Sequence, residues 1–163
     1  MIKPAYILSF ILFFPLLLIQ TTVVPLIAID IIIPDLIIIV LVYYAITQGQ
    51  IYGTVLGFIY GFLFDIITGS LLGSTMIAKT IAGFTAGYFS SENKRDQYLI
   101  SYNFALIVLL ASLIDSTISA FFSSVSFTTN IFILFIQYAL FPALYTSSIA
   151  LLGMIFYPKR RLF

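Results

Sequence analysis

Apolar residues in this chain come in long unbroken runs separated by short polar punctuation. The first run extends from Ala5 to Ile29. A second, 31–47, carries Pro34 and Asp35 near its start and stops at Gln48-Gly49-Gln50. The third covers 51–67 and turns at Thr68-Gly69-Ser70 into a fourth, 71–89. A polar tract from Ser90 to Gln97 precedes the fifth, 98–122, and a Ser/Thr-rich link from Ser123 to Asn130 precedes the sixth, 131–157. A spanning helix needs about 20 apolar residues, lipid cannot satisfy an open backbone, and these runs lack the period-two pattern of barrel strands. The pattern therefore predicts an all-α, polytopic membrane helix bundle of six transmembrane helices, with 1–163 forming a single integral membrane domain. The second span is the weakest, because Leu36 to Thr47 covers only about 18 Å at 1.5 Å per residue. It must include the residues before Pro34 or be tilted and locally supported.

Composition agrees with this reading: 62% of the 163 residues are apolar and only 8% are charged, with a mean hydropathy of +1.18. The first run is far longer than the apolar core of a secretory signal peptide and lacks a convincing small-x-small cleavage site, so it reads as a retained span. The chain contains no Cys and no His, which removes disulfides, thiol nucleophiles and the usual zinc clusters. No cofactor, metal or nucleic-acid partner is expected, and acid–base chemistry would have to come from six carboxylates. Positive charge falls at Lys3, at Lys94 and Arg95 in the polar tract, and at Lys159, Arg160 and Arg161 in the tail. Six spans with both termini cytoplasmic put all of these on one side, as the positive-inside rule asks, and turn Asp30, Asp35 and Asp65 outward. The basic tail reads as a topology anchor with some attraction to anionic lipid, or as a contact for a cytoplasmic filament protein.

Within the third run Gly49, Gly53, Gly57 and Gly61 recur every four residues, and Asp65 continues the register. Such a stripe lets another helix backbone approach closely. Gly83 and Gly87 repeat the device on the fourth helix. The stripe either packs helices of this chain together or docks the helix of another protein. Farther on, Lys79 and Asp115 fall at nearly matching depths in the fourth and fifth spans, with Gln20 and Gln137 at similar levels. A lone ion in lipid is costly, so Lys79 and Asp115 are expected to face inward and pair. That layer either fixes helix register or forms a pocket for a small polar ligand entering from outside. Asp65 reads as the cap of the outer turn, bonding amides near Thr68 and Gly69, or as a presenter of that turn to a partner. An intramembrane enzyme would need Asp65 close to Asp115, or Ser74 on the same helical face as Lys79. Neither spacing favours it.

The Pro34-Asp35 start of an apolar span, the Gly-rich third span and the turn motif carried by Asp65, Thr68, Gly69 and Gly73 resemble MreD, the rod shape-determining membrane protein family of bacteria. The resemblance extends over the whole chain. It implies a non-enzymatic scaffold of the cell-elongation machinery in the cytoplasmic (inner) membrane. The implied partner is the single-span protein MreC, and through it MreB filaments, the glycosyltransferase RodA and its class B penicillin-binding transpeptidase in peptidoglycan synthesis. The family is also similar in fold to the substrate-binding components of energy-coupling-factor transporters. A vitamin-type transporter subunit is therefore the alternative function.

Overall fold

The computed structural model describes residues 4–29, 32–91, 98–99, 102–123, 132 and 135–156. Among the described residues six α-helices are delimited: α1 (Pro4–Thr22), α2 (Leu36–Gln48), α3 (Gln50–Thr68), α4 (Ser74–Tyr88), α5 (Tyr102–Ser123) and α6 (Phe141–Phe156). Among the described residues there is no strand; a single antiparallel bridge joins Ile29 to Ile32. Lys3, Asp30, Lys94, Arg95, Lys159, Arg160 and Arg161 lie outside the described residues, so the expected charge asymmetry across the membrane does too.

Three segments, Gln50–Thr68, Tyr102–Phe122 and Ile136–Met154, are long and apolar enough to cross a membrane, while Leu8–Thr22 and Leu36–Gln48 are shorter apolar helices. The exterior is correspondingly oily. On α3 the exposed row is Ile51, Val55, Phe58, Phe62 and Ile66, and on α4 it is Ile77, Ile81, Phe84 and Tyr88. Their spacing of three and four residues marks one face of each helix. In a membrane protein such a face meets acyl chains.

The shortest helix is the most enclosed. Ile37, Ile38, Leu41, Val42, Ala45 and Ile46 of α2 have no exposed surface at all, because α2 packs against α1, α3, α4, α5 and α6. A polar and aromatic fastening joins α1 to α3: the Phe13 and Tyr60 rings stack at 4.4 Å, Tyr60 Oη donates to the Ser9 carbonyl at 2.6 Å, and the Ser9 and Tyr52 hydroxyls are hydrogen-bonded.

Two segment boundaries differ from those expected. The first apolar run does not stay helical to Ile29: α1 ends at Thr22, Val24–Ile27 forms a 3-10 turn around Pro25, and non-helical chain leads to Asp35. Helix α4 begins at Ser74, because Gly69 and Gly73 adopt φ of 68° and 101° and draw Leu71 and Leu72 into the turn. Within the last run, after helical Phe132 and Phe135, Ile136–Leu140 forms a π-turn in which the Phe141 amide reaches back to the Ile136 carbonyl. Pro142 follows at once and has no N–H to donate, so a wide turn at this point omits a bond that proline could not make.

Candidate functional site

The interior of the bundle is organised by the α3–α4 hairpin. A Cβ placed on Gly53 would fall 2.6 Å from Ala45 Cβ and 2.7 Å from the Gly83 carbonyl oxygen. On Gly57 it would overlap the Lys79 carbonyl, on Gly61 the Met76 backbone, on Gly83 the Gly53 carbonyl and on Gly87 the Gln50 backbone. The two glycine rows face each other, and their contacts are backbone against backbone, as small-residue helix pairs in lipid require. The stripe of α3 is thus filled by α4 of the same chain. Gly49 does not belong to it: this residue sits at the α2–α3 junction with φ of 104° and nothing near its Cβ position. A positive φ serves there to turn the chain.

Asp65 holds the far end of the same hairpin. Its carboxylate is buried and accepts from Ser70 Oγ at 2.8 Å. It also accepts from the amides of Gly73 at 2.9 Å, Thr75 at 3.3 Å and Met76 at 3.2 Å. Those amides are the open N-terminal donors of α4, which Asp65 caps from the neighbouring helix. The expected amides near Thr68 and Gly69 are not the ones used, because the turn runs on to Gly73 before α4 starts. Thr68 instead bonds the Phe64 carbonyl and Ser70 Oγ, and Gly69 ends α3 in the left-handed region.

With α4 fixed in this way, Lys79 points into the bundle with no exposed surface. Its ammonium is paired with Asp35 Oδ2 and, at 3.2 Å, with Asp115 Oδ2, and it lies 5.9 Å from the centre of the Phe64 ring. The Lys79 and Asp115 side chains are 1% and 8% exposed, whereas that of Asp35 is 26% exposed. Asp115 Oδ1 is buried and has no hydrogen-bond partner among the described residues. Among the described residues no group of three or more His, Cys, Asp or Glu side chains is placed to share a metal ion.

Asp35 is where the structure departs most from its expected place. It was expected only as an outward-facing residue at the start of the second run, and it reaches Lys79 from the start of α2. Its Oδ1 caps that helix, accepting from the Ile37 and Ile38 amides at 2.8 and 3.2 Å. The non-helical chain before it is held by other elements. Gln20 of α1 donates to the Pro34 carbonyl at 2.8 Å and accepts from the Leu36 amide at 2.9 Å. Buried Thr146 of α6 accepts from the Asp35 amide at 3.0 Å. Irregular backbone is stable inside the bundle here because protein groups replace the missing helical bonds. Gln20 therefore belongs to the site through the backbone and not through the ions. Gln137 sits half-buried in the π-turn and makes no hydrogen bond to the three ions.

Asp35 was missed as a partner for Lys79, although Pro34-Asp35 does mark a helix start as its residue types suggest. The available signal was the shortness of the run after it, which leaves room for a helix beginning inside the membrane. Asp65 does not approach Asp115 as part of this cluster, since both of its oxygens are occupied at the α4 terminus.

No curated protein and no solved structure matches the chain. The family model of the rod shape-determining protein MreD, in contrast, matches residues 1–158. A match of that extent, on a helical chain with three segments able to cross a membrane, makes this a membrane protein of the MreD family, whose role lies in the determination of rod shape.

Proposed function

We propose that the protein is a non-enzymatic scaffold of the bacterial cytoplasmic membrane, six-spanning with both termini inside, that binds MreC. Through MreC it helps couple MreB filaments to RodA and its class B transpeptidase. The observation that carries this reading is the family match over 1–158. The interior supports it, because the glycine stripe and the Asp65 cap are spent on making one rigid hairpin. That occupation also constrains docking: α4 fills the stripe of α3, so an MreC helix would use one of the apolar outer faces.

The second reading, a substrate-binding subunit of a vitamin-type transporter, is favoured by one observation, the polar cluster of Asp35, Lys79 and Asp115 with Asp35 partly open to the surface. Depletion of the protein in its own bacterium separates the two, with cell shape and co-purifying membrane proteins scored in the same preparation. The scaffold predicts rounded cells and MreC in the purified complex. Normal shape, with a transporter energising module co-purifying and a vitamin requirement, would refute the scaffold and leave the second reading.

A further inference from the structure

We propose that the Asp35–Lys79–Asp115 cluster takes up one monovalent cation per chain, a proton or an alkali ion, at the unpartnered oxygen of Asp115. The first ground is a charge count. The cluster contains two carboxylates and one ammonium, and nothing else that faces it restores the balance. From α1 it receives Gln20, which is neutral and spent on the Pro34 and Leu36 backbone. From α3 it receives the Phe64 ring, while the Asp65 carboxylate is turned to the start of α4. From α6 it receives Thr146, whose hydroxyl donates to the Pro142 carbonyl and accepts from the Asp35 amide. With both carboxylates ionised the interior would retain one uncompensated negative charge, which a low-dielectric site tolerates poorly.

The second ground is geometric and independent of the count. Every carboxylate oxygen in the cluster has a donor except Asp115 Oδ1, which is buried and bonded to nothing among the described residues. A buried anionic oxygen without a donor is a costly exception and calls for an occupant. A neutral donor would satisfy its lone pairs and leave the charge in place, whereas a single positive charge answers both grounds together. A divalent ion would overshoot the count and meet the fixed ammonium of Lys79. Asp35, whose side chain is 26% exposed, is the edge of the cluster nearest the surface.

The test uses the full chain in lipid nanodiscs. Its thermal midpoint is followed while sodium or potassium replaces N-methylglucamine at constant ionic strength and neutral pH. Infrared spectra of the same sample, in water and in heavy water, report any protonated carboxyl. If the occupant is an alkali ion, the wild-type midpoint rises by roughly 3 °C per tenfold increase in ion once the site begins to saturate. If it is a proton, the midpoint is indifferent to the alkali ion, but a protonated-carboxyl band is present at neutral pH. In both cases Asp115→Asn abolishes the signal. So does Asp35→Asn, which keeps an oxygen to cap α2 while removing one negative charge and provides a second variant should the first fail to fold. A wild-type protein that shows neither dependence nor band overturns the proposal, and so does a signal that survives both substitutions.

Discussion

Replacing Gly57 with alanine adds one methyl group at the most crowded point of the α3–α4 hairpin. The new Cβ would overlap the Lys79 carbonyl, a backbone atom that has no rotamer to escape into. At Gly53, where the approach is less severe, moving a Cβ from 2.7 Å to ordinary contact at 3.4 Å needs a shift of about 0.7 Å, and Gly57 needs a larger one. Overpacking of this kind costs about 1–3 kcal/mol. It is set against the gain of about 0.5–1 kcal/mol that alanine normally brings over glycine inside a helix. Gly153 in α6 provides the reference: it is helical, exposed and has nothing within 4 Å of its Cβ position. In thermal unfolding of the purified protein, Gly153→Ala should leave the midpoint unchanged or raise it. Gly57→Ala should lower it by several degrees, at about 2–4 °C per kcal/mol for a chain of this size. Equal midpoints for the two variants would mean that the hairpin is not packed backbone to backbone, and the account of the glycine rows would fail.

Asp65→Ala leaves three α4 amides and Ser70 without their acceptor and should cost about 1–3 kcal/mol; Asp65→Asn, which keeps one acceptor oxygen, should recover part of that in the same unfolding assay. Lys79→Met strands both carboxylates and should cost about 3–5 kcal/mol, whereas Asp115→Leu leaves Lys79 paired with Asp35 and should cost less, with the double variant less damaged than the sum of the two. Strict additivity of unfolding free energies would show that the pair does not interact. Gln20→Leu removes both bonds to the Pro34–Leu36 backbone and should raise amide exchange at Leu36 while leaving the α3–α4 hairpin protected; unchanged exchange at Leu36 would show that Gln20 does not hold this segment.

What could be read from the sequence was what depends on spacing along one helix. The six helices, the inward pairing of Lys79 with Asp115 and a stripe of small residues on each of α3 and α4 all follow from helical period and from the cost of charge in lipid. What could not be read depends on where a helix begins. Pro34-Asp35 was legible as a start, but its depth is set by Gln20 and Thr146, contributed from helices far away in the chain. The same difficulty displaced the amides assigned to Asp65, since the length of its turn rests on positive φ at Gly69 and Gly73. Gly49 matched the period of four without lying on the helix face, because periodicity in sequence does not reveal the residue at which a helix is interrupted.

These features depend on one another in a definite order. Helix α2 has 13 residues and spans about 20 Å, short of the roughly 30 Å of a hydrocarbon core. The backbone at its start, which lacks helical bonds, has its polar groups met by Gln20, Thr146 and Asp35. Asp35 can serve as a half-buried cap because Lys79 neutralises it, and Lys79 reaches it because α4 lies against the glycine face of α3. The glycine rows therefore do more than pack two helices. They set the position of the one cation that lets α2 begin inside the bundle, which is why a methyl group at Gly57, on α3, bears on the start of α2 although Asp35 and Gly57 are far apart in sequence.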